Sequence, residues 1–287
     1  MTSFRAFCDR KTREAESTPL TRLNTVDDRS AAFDGVEIGN GWSHDYYDGL
    51  FHLPARGPDD LPSVSLVFVQ SRDGNTGADN PEDLGGGPAD KHLIYEGLSR
   101  VAADAVLAGA KTAEGEETFF SVWHPELVAL RNALGLPRHP AQIVVTGTAS
   151  IDIERSLLFN VPDVPVFIVS TPGGCDTLAH AVSRRPSMEL VPLTGENLCA
   201  PLEYLRRERG IRRVSAVGGR TTASGLIDAG LVQDLCLTTT ARAAGRPGTP
   251  LYVGKRQSPE TKLIVRKCGT DPDYPIMFEH LALVGNR

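Results

Sequence analysis

Val64-Ser65-Leu66-Val67-Phe68-Val69, followed by Ser71-Arg72-Asp73-Gly74, is the stretch on which the fold assignment turns. A compact apolar run closed by a turn dipeptide is the pattern of a strand covered on both faces. After it, Leu93, Ile94, Gly97, Leu98 and Val101 share one helical face, and Ala105-Val106-Leu107-Ala108 is a second buried strand ending at Gly109. Gln142-Ile143-Val144-Val145 and Val166-Phe167-Ile168-Val169 continue the series. Leu178, Ala181 and Val182 form a helical face after Gly174, and Pro201 opens a further helix with Leu198, Leu202 and Leu205. That helix ends on Arg206, Arg207 and Arg209, which suit its dipole, with Gly210 placed for a left-handed cap. Val214-Ser215-Ala216-Val217 then leads into Gly218-Gly219 and a short helix stopped at Gly230.

In the last quarter Leu235 to Thr240, Lys262 to Lys267 and Ile276 to Leu283 run apolar or alternate without helices between them. They are expected as antiparallel strands added at a sheet edge. The fold class is therefore α/β: a mostly parallel sheet with helices on both faces and C-terminal antiparallel strands. Residues 1–60 carry few apolar runs and read as an N-terminal arm, residues 61–287 as the main domain. The arm's aromatic cluster, Trp42, Tyr46, Tyr47 and Phe51, either caps a pocket or dimer contact or covers a patch of the same domain. The Gly/Pro-rich stretch from Ala243 to Gly254 is expected as a surface loop near the ligand crevice.

Composition narrows the function classes. The chain has 287 residues, 40% hydrophobic and 23% charged, with a formal net charge of -6. An acidic balance disfavours a nucleic-acid surface, because phosphate backbones are held by clustered Lys and Arg. A small-molecule partner is the expectation. The five cysteines (Cys8, Cys175, Cys199, Cys236 and Cys268) form no CxxC pair, which suggests neither a disulfide framework nor a zinc site. No metal site is expected. The polar N-terminus lacks a secretory pattern and no apolar run approaches the length of a bilayer span, so a cytoplasmic protein with no membrane partner is expected.

Ligands of open α/β sheets lie beyond the carboxyl ends of the strands. Here those ends are small and polar: Gly109-Ala110-Lys111-Thr112, Thr146-Gly147, Ser170-Thr171-Pro172-Gly173-Gly174 and Gly218-Gly219-Arg220-Thr221-Thr222. Glycine lets backbone approach a ligand, and the N–H groups of a following helix bind phosphate. Together these turns describe a dinucleotide cradle. Gly39-Asn40-Gly41 lacks the third glycine of the Rossmann fingerprint, no GxSxG elbow occurs, and the seven histidines include no HExxH.

The order of these residues is recognisable. Ser71-Arg72-Asp73-Gly74, then Asp104-Ala105-Val106-Leu107-Ala108-Gly109-Ala110-Lys111-Thr112, then Val217-Gly218-Gly219 and Leu226 to Leu235, resembles the reductase domain of the bifunctional riboflavin-biosynthesis deaminase/reductase over about residues 62 to 284. The resemblance implies a dihydrofolate reductase-like fold, NADPH as cofactor, a homodimer and a small pyrimidine-like substrate. By position it implies that Gly109 and Thr112 contact the nicotinamide half and that Thr146 and Ser170 lie along the adenosine half. Gly218 and Gly219 would turn under the pyrophosphate, with Arg220, Thr221 and Thr222 beside them. Asp73 would face the reacting end, and Glu116 would serve where the family's Asp-Pro is missing. Val217 stands in place of the family's acidic residue, and Gly85-Gly86-Gly87-Pro88 replaces the basic-aromatic substrate segment. These departures motivate an alternative: a catalytically inactive nucleotide-binding protein of the same fold, used for sensing or scaffolding. No HxE with a downstream PCxxC occurs, so a free-standing reductase without the deaminase half is expected.

Overall fold

The computed structural model describes residues 4–55, 59–78, 81–195, 197–254 and 258–284. Its elements before the main domain are α1 (Phe4–Ser17), β1 (Leu23–Asp28), β2 (Gly35–Ile38), α2 (Gly41–Tyr47) and β3 (Phe51–Pro54). β4 (Ser63–Gln70), the π-helix Ala89–Leu98, α3 (Ser99–Val101), β5 (Ala105–Gly109), α4 (Ala110–Ala113) and α5 (Pro125–Ala133) follow. Then come β6 (Ala141–Thr146), β7 (Val166–Ser170), α6 (Pro172–Ser183), β8 (Met188–Pro192), α7 (Cys199–Arg209) and β9 (Arg213–Ala216). The chain closes with α8 (Arg220–Asp228), β10 (Val232–Thr240), β11 (Thr261–Gly269) and β12 (Ile276–Leu283).

One 10-stranded sheet, ordered β1-β11-β12-β10-β4-β9-β5-β6-β7-β8, carries the molecule. The stretch from β10 to β8 in this order is parallel throughout. β12, β11 and β1 then continue it antiparallel. This is the α/β dihydrofolate reductase-like arrangement expected from the sequence, with one correction. Leu235 to Thr240 belongs to β10, which pairs in parallel with β4 and only on its other side antiparallel with β12. The physical reason is α8, whose length allows a crossover from β9 to a parallel strand.

The arm is built into this sheet. β1 pairs with β11 at the edge, from Leu23 opposite Gly269 to Asp28 opposite Val265, with a shift of register between Thr25 and Asp27. Tyr47 and Phe51 pack edge-on to each other at 5.7 Å, Tyr47 meets Phe278 at 5.9 Å, and Phe51 stacks on His280 at 5.1 Å. Tyr47 and Phe51 therefore cover a patch of their own sheet, whereas Trp42 lies beside Tyr46 at 4.9 Å and stacks at 3.9 Å on His124, just before Pro125. Beneath Tyr47 and Phe51 the His280 ring contacts the Asp234 carboxylate at 2.7 Å, and Ser65 Oγ donates to the same group at 2.7 Å.

Alternation sets the two faces of the parallel strands. Leu66, Leu107, Ile143 and Ala216 pack against Leu202 and Leu205 of α7 and Leu226 of α8. Val106, Val144 and Ile168 pack on the opposite face with Leu178 and Val182 of α6. Val67 meets Leu93, Ile94 and Leu98 of the π-helix. Burying the strands on both faces explains why they read as unbroken apolar runs.

Candidate active site

β9 lies between β4 and β5, and the onward connections of β9 and β5 leave in opposite directions. α8 carries the chain from β9 past β4 to β10, whereas α4 and α5 carry it from β5 to β6. Adjacent strands that part in this way open a crevice at their carboxyl ends. A cleft of about 1150 Å³ fills it.

The middle of the cleft is backbone and hydroxyl. Gly218 and Gly219 have φ of 108° and 81°, a region that side chains occupy only with strain. A Cβ on Gly218 would meet Thr112 Cγ2 at 3.3 Å, and one on Gly109 would meet Thr222 Oγ1 at 2.8 Å. The Val217 N–H donates to the Leu107 carbonyl at 2.9 Å and ties the two strand ends together. α8 starts at Gly219 without a side-chain cap, and the N–H of Ala223 is the one that returns to Gly219. The N–H groups of the first turn thus have no intrahelical partners, the arrangement that receives anions at helix starts. Lys111, Arg220 and Arg246 also line the cleft, the last from the Gly/Pro-rich loop expected to lie near it.

One end is bounded by Thr146, Gly147, Thr148, Leu193, Asn197 and Leu198. The other end holds Lys11, Glu82, Asp90, Lys91, Tyr95 and Glu96, with Gly86 and Gly87. Asp90, half-buried, has its carboxyl pushed up to about 6 by loss of water. Burial would raise Glu96 too, but His92 and Lys11 beside it hold it below the usual carboxylate range. Burial opposes the charge on Lys91, and Glu14 and Glu82 outweigh it, at 2.6 Å each, raising the ammonium above its usual range.

Of the residues expected from the sequence, Gly109, Thr112, Thr146, Gly218, Gly219, Arg220, Thr221 and Thr222 meet in this cleft. Ser170, Asp73 and Glu116 are not among its lining residues. Ser170 is fully buried and its Oγ donates to the Thr146 carbonyl at 2.8 Å. Asp73 turns into its own loop, accepting from Ser71 Oγ at 2.7 Å and Asn75 Nδ2 at 2.8 Å. The Ser71 bond keeps its carboxyl below the usual range. Glu116 lies past the bend at Gly115, in a separate groove with Ala149, Ile151 and Leu178. Sequence reasoning missed Asp90, Tyr95, Glu96 and Lys11. For Asp90 the available signal was its place just after Pro88, in the first turn of a helix leading away from β4; for Lys11 there was none.

Residues 62–273 match the family described as the RibD C-terminal domain. The chain belongs to this family. It is an oxidoreductase of the riboflavin-biosynthesis reductase type, consistent with the resemblance carried by its motifs. Comparison with curated protein sequences finds no match. Among solved structures, a pyrimidine reductase-like protein of Corynebacterium diphtheriae is similar at 20% identity, over 78% of this chain and 92% of that one, with a TM-score of 0.57. The riboflavin biosynthesis reductase of Saccharomyces cerevisiae is similar at 18% identity, over 79% of this chain and 93% of that one, with a TM-score of 0.55. RibD of Acinetobacter baumannii shares 16% identity over 78% of this chain and 59% of its own length, with a TM-score of 0.58. At these identities the likeness establishes the dihydrofolate reductase-like fold. No helix among the described residues is long and apolar enough to cross a membrane.

Proposed function

We propose that this RibD-type domain is an NADPH-dependent reductase of a small pyrimidine-like substrate of the 5-amino-6-(5-phosphoribosylamino)uracil type. The observation that carries the reading is the contact of Gly109 and Thr112 with Gly218, Gly219 and Thr222 across the crevice between β5 and β9. The fit is specific: side chains at Gly109 or Gly218 would fill the trough, and the open first turn of α8 with Lys111 and Arg220 supplies donors and positive charge for a pyrophosphate.

When bound, the cofactor supplies the hydride; what remains for this chain is orientation, exclusion of water and management of the proton. Thr146, Gly147 and Thr148 would hold the adenosine half, and Gly109 and Thr112 the nicotinamide half. Asp90 carries a carboxyl that exchanges its proton near pH 6, at the end where the substrate would lie. It can hydrogen-bond a heterocycle in either protonation state. Ser170 supports this groove from beneath, through Thr146. Asp73 shapes the loop after β4, and Glu116 has no part in the chemistry. The reading extends to a cytoplasmic homodimer, which sedimentation of the purified protein would check.

Titration with NADPH, followed by fluorescence, tests it. Binding in the micromolar range is expected, weakened about tenfold in Arg220→Ala, since one charge-assisted contact is worth on the order of 1.4 kcal/mol. Absence of binding at millimolar NADPH would sink the reading. Cofactor oxidation in the presence of the uracil substrate separates it from a binding protein without catalysis.

A further inference from the structure

α1 lies outside residues 62–273, yet it forms part of the cleft wall. Phe4 and Phe7 anchor it, edge-on to Phe119 at 5.0 Å and to Trp123 at 5.5 Å. Arg10 pairs with Glu117 at 2.9 Å on its outer side. The helix is thereby fixed to the segment that follows α4, and Lys11 projects to the end of the cleft where Asp90 and Tyr95 lie.

The charges there are nearly matched. Lys11 Nζ lies 3.2 Å from Glu96 Oε1 and 3.5 Å from Glu14 Oε2, and its side chain is only 16% exposed. Lys91 spans Glu14 and Glu82 at 2.6 Å each. An ammonium has three N–H donors, so each lysine keeps one beyond its two carboxylate contacts. Three carboxylates face these two ammonium groups, which leaves no positive surplus for a phosphate. A neutral oxygen acceptor suits the remaining donor better.

We propose that Lys11 donates its third N–H to a ring oxo group of the pyrimidine-like substrate, making α1 part of the substrate site. This rests on the cofactor reading above for which end of the cleft holds the substrate. Lys11 is a specificity-determining residue supplied by a segment that the family match does not include. Glu96 orients it, and α1 excludes water from that end.

The test compares wild type, Lys11→Met, Lys11→Arg and Arg10→Met. Steady-state kinetics are measured with 5-amino-6-(5-phosphoribosylamino)uracil and its dephosphorylated form, alongside NADPH titration and thermal melting. Lys11→Met keeps the apolar stem, and it should raise KM about tenfold for both substrates while the NADPH Kd stays within about twofold. Lys11→Arg should recover part of the loss; Arg10→Met removes only an exposed pair with Glu117 and a contact over the Phe7 ring at 5.4 Å, and with Phe4 and Phe7 still anchoring α1 its KM should stay within about twofold of wild type. An unchanged KM in Lys11→Met overturns the inference, as does a loss confined to the phosphorylated substrate. Failure of the wild type to bind NADPH would instead remove the cofactor reading. NADPH binding without turnover of either uracil would remove the substrate assignment.

Discussion

A Cβ on Gly109 would fall 2.8 Å from Oγ1 of Thr222, so the end of β5 and the first turn of α8 meet across a space that fits only a hydrogen. Gly109→Ala should displace Thr222 into the trough and weaken NADPH about tenfold, with a melting temperature lower by only a few degrees. The double variant Gly109→Ala/Thr222→Ala should recover most of the affinity, because the two positions share one contact. Additive losses in the double-mutant cycle would refute the contact.

Asp90 gives the cleft its own pH response. Its carboxyl moves from 3.8 to about 6 because burial disfavours the charged form. A raised folded value means that its contribution to stability is present below pH 3.8 and is lost as pH rises through about 6. The profile of kcat/KM should bend near pH 6, and Asp90→Asn should remove that inflection. A bend that survives the substitution would assign it to another group.

His139 acts in the opposite sense on stability. Burial, with Arg138 and Arg131 nearby, lowers it from 6.5 to about 4. The unfolded chain binds this proton first, so the stability it contributes is present above pH 6.5 and is lost as pH falls through about 4. Ser121 Oγ lies 2.8 Å from its Nδ1. Melting temperatures of His139→Gln should depend less on pH across that window than those of the wild type. Parallel curves for the two proteins would contradict the assignment.

Beneath the arm, Asp234 meets both His280 and Ser65 in a nearly dry environment. Removing one member leaves buried polar groups without partners, so Asp234→Ala should cost about 3 kcal/mol in denaturant unfolding. The cluster is not part of the cleft lining, and the NADPH affinity of the folded variant should therefore be unchanged. A selective loss of cofactor binding would show that the arm and the cleft are coupled.

The inner parallel strands β4, β5, β6, β7 and β9 were legible because burial on two faces leaves apolar runs such as Val64 to Val69 and Val166 to Val169, whereas β8, at the sheet's end with Glu189, Leu190 and Pro192 less buried, was not. The cradle glycines were legible for a similar reason: backbone that must approach a ligand excludes side chains at Gly109 and Gly218 whatever the neighbours. β1 was not legible. Its residues Asn24, Thr25, Asp27 and Asp28 lie at the sheet margin, mostly solvated, and no apolar alternation is required of them.

The order of motifs along the chain determined the fold and the middle of the cleft, since both depend on local periodicity and on turns that tolerate few residue types. Tertiary structure alone decided the end of the cleft where Lys11, Asp90 and Glu96 lie. Lys11, Asp90 and Glu96 are polar residues on helices, where solvated positions carry the same composition; only packing of α1 and the π-helix against the sheet turns them inward. The same holds for Asp73 and Glu116, whose directions are set by a two-residue loop bond and by the bend at Gly115.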